Sequence, residues 1–199
     1  MKILVQNLQK RDGLATELFE EKDPDVMLLQ EINLHSEKHG FPASNVSRMG
    51  YGTAIGSKFE FSNIKHVQSP YAEFGGTIRK KTTIASINSI QFVSFHGYNG
   101  QPFKDKKKLV AHVEAVLAEL EPGPALFAGD FNTWSIDHLD AVMEKMDSFG
   151  FKLAYTWPYT GRDFALDHAF VRELKIKNSD NYVCASDHRG AILDLEVII

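Results

Sequence analysis

Several polar residues of this chain stand where apolar runs end: Asn7 after Ile3 to Gln6, Glu31 after Val26 to Gln30, and His96 after Phe92-Val93-Ser94-Phe95. Asp130 and Asn132 follow Ala125 to Gly129, Asp167 and His168 follow Leu166, and Asp187 and His188 precede the last apolar run. The end of a strand is a place where a rigid scaffold holds a side chain and solvent reaches it. Any one of these residues alone reads as a turn former or cap. The set reads as the parts needed to hydrolyse a phosphoester. Asn7, Glu31 and Asp187 offer oxygen ligands of the kind that suit Mg²⁺, which keeps water and substrate phosphate in its remaining positions. No cysteine lies among them, so zinc held through thiolates is excluded.

The elements that must position these residues follow from periodicity. Ile3 to Leu8 and Val26 to Gln30 are short apolar runs of the kind that form buried strands. Between them Leu14, Ala15, Leu18 and Phe19 recur at helical spacing after a cap at Asp12, and Asp23-Pro24 ends the helix. Residues 32–49 show no period and read as a long loop. Tyr51 to Ile55, Phe59 to Val67, Thr82 to Ile87 and Ile90 to Phe95 read as antiparallel strands, with Asn88-Ser89 a tight hairpin turn. Leu109, Val110, Val113, Val116, Leu117 and Leu120 form a helix face stopped by Pro122-Gly123-Pro124. After a strand over Ala125 to Ala128, Ser135 caps a helix whose apolar face is Ile136, Leu139, Val142, Met143 and Met146. Leu166 to Val171 and Ala191 to Ile198 are the last clear strands. Helices alternate with strands at both ends and hairpins fill the middle, which argues for an α/β protein with two sheets.

The 199 residues predict one domain over 1–199. Net charge is −4, with 22 lysines and arginines against 26 acids, so a broad basic surface for nucleic acid is excluded and any such role rests on a local site. A single cysteine, Cys184, cannot form an internal disulfide. The short apolar run at the start and the lack of a stretch of about 20 apolar residues predict a cytoplasmic protein with no membrane span and no obligate protein partner.

Gln30-Glu31, Gly129-Asp130-Phe131-Asn132, Leu166-Asp167-His168 and Ser186-Asp187-His188, in that order, resemble the motifs of the endonuclease/exonuclease/phosphatase superfamily, in a compact bacterial form. Asn7 and His96 fall where that family has an amide and a histidine. The resemblance implies a four-layered α/β sandwich of the DNase I type, two mixed β-sheets flanked by helices with the site at one edge. It implies a metal-dependent phosphoesterase using Mg²⁺, with Mn²⁺ as a substitute. Glu31 would hold the metal with Asn7 and Asp187 nearby. Asp130 would orient or deprotonate the attacking water, Asn132 would hold a phosphate oxygen, His188 oriented by Asp167 would stabilise the phosphorane, and His96 would donate to phosphate. The substrate would be DNA or RNA. The alternative is a phosphatase or phosphodiesterase for a lipid headgroup, inositol phosphate or nucleotide, and a catalytically silent binding module is the reading from another class.

Other residues carry two readings each. Lys104, Lys106, Lys107 and Lys108 open the helix after His96, where cations oppose the macrodipole, so they face either a phosphate or only solvent. Tyr98 and Asn99 touch phosphate or pack locally, and Trp134 stacks on a base or sugar or packs under its loop. Arg79, Lys80 and Lys81 read as a charged defence of an edge strand. His35 and His39 read as loop histidines, His112 as solvent-facing, His66 and His138 as unpartnered, and His168 as a structural residue on the opposite strand face from Asp167.

Overall fold

The computed structural model describes residues 1–38, 40–48, 50–100, 104–162 and 164–198. In chain order these form β1 (Lys2–Asn7), α1 (Leu14–Lys22), β2 (Val26–Asn33), β3 (Ala43–Val46), β4 (Tyr51–Ser57), β5 (Asn63–Glu73), β6 (Ile78–Ile87) and β7 (Ile90–His96). There follow α2 (Lys106–Leu117), β8 (Ala125–Asp130), α3 (Ile136–Asp147), β9 (Lys152–Trp157), β10 (Asp167–Arg172), β11 (Leu174–Tyr182) and β12 (Gly190–Val197). The strands make two six-stranded sheets, ordered β11-β12-β1-β2-β4-β3 and β5-β6-β7-β8-β10-β9. Each sheet has one parallel pair, β1 with β2 and β7 with β8, formed where a helix carries the chain back across the sheet. The other pairs are antiparallel, so both sheets are mixed.

Strand alternation explains the layers. In β1, Ile3 and Val5 join Val26, Leu28, Phe92 and Leu126 between the sheets, while Leu4 turns outward with Met27 and Leu29 onto Leu14, Ala15 and Leu18 of α1. In the second sheet Val93, Phe95 and Phe127 turn outward onto Leu109, Val113 and Val116 of α2 and Val142 and Met146 of α3. Central strands are therefore covered on both faces, which is why they read as unbroken apolar runs. This is the expected four-layered α/β sandwich.

Local details depart from expectation where edges and caps decide the structure. Residues 32–49 do not form one long loop: β2 continues to Asn33, a 3₁₀ turn spans Leu34–Ser36, and β3 pairs with β4. Met49 and His39 lie outside the described residues. Two further strands, β9 and β11, carry many exposed residues and show no apolar run. The N-cap of α1 is Gly13, at φ 71°, and Asp12 instead accepts from the Asn33 amide. Glu37 supplies the missing cap, accepting from the Thr16 backbone N–H and hydroxyl. In α3 Ser135 caps as expected, but Ile136 is 79 % exposed and Met143 38 %, because only Val142 and Met146 reach the sheet fully. The lysines of α2 have a local offset, the Asp105 N-cap accepting from Lys107 and Lys108 N–H, and Lys104 lies ahead of the helix. The strand holding Lys80 is interior, between β5 and β7, so its charges defend no edge. His112 is wholly buried beside Phe95 rather than solvent-facing, its ring 4.8 Å from the phenyl.

Candidate active site

Strand register assembles the site. His96 at the end of β7 pairs with Asp130 at the end of β8, and Asp130 pairs with Asp167 at the start of the antiparallel β10. The other sheet brings Asn7 and Glu31 to the same edge. Glu31 is turned by a bulge: its pairing with β4 shifts between Gln30 and Ile32, and it takes φ 50°. Gly129 is required where it stands, since at φ 140° a Cβ would lie 2.2 Å from the Phe95 carbonyl oxygen and 2.8 Å from Gln30 Nε2. Gln30 in turn donates to Ser94 Oγ at 2.9 Å, a polar tie across the two sheets directly beneath the site.

A cavity of about 200 Å³ opens between these ends, lined by Glu31, Asp130, Asp187, His188, His96 and Asn132, with Lys80, Asn99, Trp134, Tyr159 and Leu166 completing the wall. A larger groove of about 380 Å³ runs along α3, lined by Met143, Phe151, Leu153 and Phe170 with Asp140, Glu144, Asp147 and Lys152. It lacks any of the converging strand-end groups, so the smaller cavity is the candidate site.

His188 donates from Nδ1 to Asp167 Oδ2 at 2.7 Å. Burial works to lower its pKa, but the carboxylates of Asp167, Asp130 and Asp187 outweigh burial and raise it to about 10, so the ring is an imidazolium. Its Nε2 faces Asp130 Oδ2 at 3.9 Å. Asp130 accepts from the Asn132 N–H at 2.9 Å, from Asn7 Nδ2 at 3.1 Å and from Asn132 Nδ2 at 3.3 Å. Its burial pushes its pKa above the carboxylate range despite His188. Asn132, at φ 55°, sends its other amide hydrogen to the Gly97 carbonyl. Ser186 Oγ donates to the Asn7 carbonyl at 2.7 Å and accepts from the His188 N–H, locking the last loop to β1.

His96 Nε2 lies 2.6 Å from Lys80 Nζ and 3.6 Å from both Glu31 Oε1 and Asp130 Oδ2. An ammonium only donates, so Nε2 is the acceptor. Burial and then Lys80 hold the His96 pKa well below its ordinary value, which agrees with a neutral ring. Asp187 Oδ2 accepts from the Tyr159 hydroxyl at 3.0 Å, and the Tyr159 ring meets His188 edge to face at 4.8 Å. Burial and then Asp187 push the Tyr159 pKa up to about 12.

The donor set fits a hard cation. Glu31 and Asp187 line the cavity with carboxylates, and Asn7 Oδ1 accepts from the Gln9 N–H. Asp130, Asp167 and His188 also bring ligand atoms within 4.8 Å of one another. There Asp167 Oδ2 already accepts from His188 Nδ1, while Glu31 and Asp187 on the cavity wall are the other carboxylates that could hold a cation.

The structure thus gathers Asn7, Glu31, His96, Asn99, Asp130, Asn132, Trp134, Asp167, Asp187 and His188 at one edge. Tyr98 is outside the cavity wall, 6 % exposed and packed edge-on to Tyr71. Trp134 donates from Nε1 to Asn99 Oδ1 at 2.9 Å, and Lys104 Nζ lies over its ring. His168 is the structural residue expected, held between Thr133 and Thr156 at 2.6 and 2.8 Å. His138 has partners after all, Ser135 and the Lys104 carbonyl. Neither Lys80 nor Tyr159 stands at the end of an apolar run, so that pattern does not mark them as site residues. Lys80 was within reach of register counting: the Asn88-Ser89 turn sets Thr82 opposite Phe95, and two residues further the chain reaches Lys80 beside the end of β7.

A family model described as the Endonuclease/Exonuclease/phosphatase family matches residues 4–188. A UPF0294 protein of Vibrio vulnificus is 39 % identical over 88 residues, covering 41 % of this chain and 31 % of that protein, so the match spans about a third of the relative's length. The endonuclease domain of TRAS1, a telomere-specific non-LTR retrotransposon, superposes with a TM-score of 0.70 at 16 % identity over 100 % of this chain and 99 % of that one. A mannosyl-6-phosphatase of Bacteroides thetaiotaomicron superposes with a TM-score of 0.69 at 15 % identity over 98 % and 99 %. At these identities the two structures share the fold.

Proposed function

Since the chain belongs to the Endonuclease/Exonuclease/phosphatase family, a family of phosphoesterases, we propose that it hydrolyses phosphodiesters with a divalent cation, Mg²⁺ or Mn²⁺, and that nucleic acid is its substrate. The observation that carries this reading is the Asp167–His188 pair, whose ring faces Asp130 in a cavity that Glu31 and Asp187 also line. Glu31 and Asp187, backed by Asn7, would hold the cation. When bound, it supplies positive charge against the phosphate oxygens and the departing oxygen.

In this reading Asp130 orients the attacking water and takes its proton. A buried carboxylate of raised pKa is the better base for that step. Asn132 and Asn7 fix its orientation, since both amides donate to Asp130. His188, charged and held by Asp167, donates to the nonbridging oxygens as charge grows on the phosphorane. His96 gives its Nε2 lone pair to Lys80, so the Lys80 ammonium is the donor for phosphate on that side and His96 orients it. Nucleic acid is favoured by the cluster beside the mouth, where Lys104 lies over Trp134 and Arg162 approaches Trp134, Tyr159 and Phe164 at 5.4–5.9 Å.

The second reading, a phosphomonoester or a small-headgroup diester, is favoured by the acidic net charge of −4 and the small cavity. The test is a panel of duplex and single-stranded DNA, RNA, nucleotides, inositol phosphates and sphingomyelin with Mg²⁺ or Mn²⁺ and an EDTA control. Cleavage of DNA or RNA that EDTA stops, and that Glu31→Ala or Asp130→Ala abolishes with the fold retained, is expected. Full activity in either variant overturns the site. Turnover confined to small phosphoesters selects the second reading, and no Mg²⁺ binding with no turnover leaves a silent binding module.

A further inference from the structure

Glu73, at the end of β5, is buried, its side chain only 4 % exposed, and lies outside the ring of strand ends described above. Its two carboxylate oxygens face two different walls of the cavity. Oε1 accepts from the backbone N–H of Asn99 at 2.5 Å and of Gly100 at 3.1 Å. Asn99 accepts in turn from the Trp134 indole, so this oxygen holds the segment that orients Trp134. Oε2 lies 3.9 Å from Lys80 Nζ, whose side chain is 14 % exposed and whose ammonium donates to His96 Nε2.

A carboxylate withdrawn from water needs partners for its charge. Here those partners are the two N–H groups of one wall and the ammonium of the other. A buried carboxylate is a costly way to close a loop, for which an amide or a water would serve. Its placement makes sense if both walls must be fixed before substrate arrives, because groups already in position lose less freedom on binding.

We propose that Glu73 is a positioning residue that couples the two substrate-facing walls, setting the Asn99–Trp134 side with Oε1 and the Lys80–His96 side with Oε2. The proposal rests on the phosphoesterase reading for its catalytic consequence and not for its structural content. The two arms separate chemically. Glu73→Gln keeps an oxygen that can accept from Asn99 and Gly100 and removes the charge that faces Lys80; Glu73→Ala removes both.

The two tryptophans of the chain give two indole N–H resonances, of which the Trp134 signal reads the bond to Asn99. The ¹⁵N shift of His96 Nε2 reads the Lys80 contact. In the substrate-free full chain, Glu73→Ala moves both signals. Glu73→Gln and Lys80→Met move the His96 signal and leave the Trp134 indole in place. On whichever phosphoester the wild type cleaves, Glu73→Gln raises KM about tenfold with kcat within about threefold, the pattern of lost pre-organisation in binding. Should Glu73→Ala fail to fold, Glu73→Asp, one methylene short of either wall, stands in for it.

Loss of thermal stability with both signals at their wild-type positions overturns the proposal, as does a Glu73→Gln protein that moves the indole as far as Glu73→Ala does. If the wild type cleaves nothing on the panel, the function fails while the two resonances still decide the coupling.

Discussion

At the scale of single residues the site is made by groups that cannot be exchanged without changing an atom's role. Asp167 does one thing: it holds His188 Nδ1 at 2.7 Å and helps to keep the ring charged. Asp167→Asn retains shape and removes charge, and is expected to lower kcat about 10²- to 10³-fold with KM little changed, since the lost donor acts on charge that grows after binding. Steady-state kinetics check this, with circular dichroism confirming the fold. Gly129→Ala is a backbone experiment: at φ 140° with the Phe95 carbonyl 2.2 Å from the new Cβ, it is expected to lose a few kcal/mol in denaturant titrations and to displace Asp130. The residues that were legible in the sequence, Glu31, Asp130, Asp167 and His188 among them, share one property: each follows or opens an apolar strand, and burial of the strand fixes where its end lies. Lys80, Glu73 and Tyr159 are not marked that way. Their nearness to His96, Asn99 and His188 comes from hairpin register and from loops folding back, which local pattern does not encode.

Elements were legible in proportion to how much of them is buried. β1, β2, β7 and β8, covered on both faces, stand out as apolar runs. β3 is half-buried at alternate positions, β9 and β11 carry many exposed residues, and all three have little apolar pattern and end their sheets. Helix α2 shows the opposite failure, because a histidine in its apolar face reads as a break in the stripe. His112 is fully buried on Phe95, with Nε2 3.5 Å from Thr82 Oγ1, and faces the positive charge of Lys80 from β6. Burial and then Lys80 lower its pKa to about 3. The folded chain therefore holds it neutral while the unfolded chain protonates it below its ordinary value near 6.5. Between those two values the unfolded state binds more protons, so stability contributed by the neutral ring is full above about pH 6.5 and is lost as pH falls toward 3. Urea unfolding across pH 3.5–7.5 is expected to show a shallower pH slope in His112→Leu than in the wild type, by up to about 1.4 kcal/mol per pH unit. Equal slopes would place the ring outside the titrating set.

For the whole molecule the decisive quantity is charge. With 22 basic residues against 26 acidic ones, the surface as a whole repels a polyanion, and Glu31, Asp130, Asp167 and Asp187 concentrate part of the acidic excess at the very edge where phosphate would enter. A bound divalent cation lies outside that count and reverses its sign locally. In the nucleic-acid reading, the rest of the polymer is held by cations around the mouth, among them Lys80, Lys104 and Arg162. Phosphate contacts by these three predict that log K for duplex DNA falls with log[salt] at a slope of about −2.7, so that raising salt from about 50 to 200 mM weakens binding about 40-fold. Lys104 adds a second condition. Burial and then Arg162 lower its pKa to about 8, so above that pH it leaves the set and the slope is expected to shrink toward −2. Fluorescence anisotropy with labelled DNA, on Asp130→Asn protein in Mg²⁺ to prevent turnover, measures both slopes. A slope steeper than about −5 would mean that a broad face of the protein binds the polymer, against the charge balance. A slope near zero would mean that DNA is not held at the mouth at all, and would move the assignment to a small phosphoester that fits within the cavity.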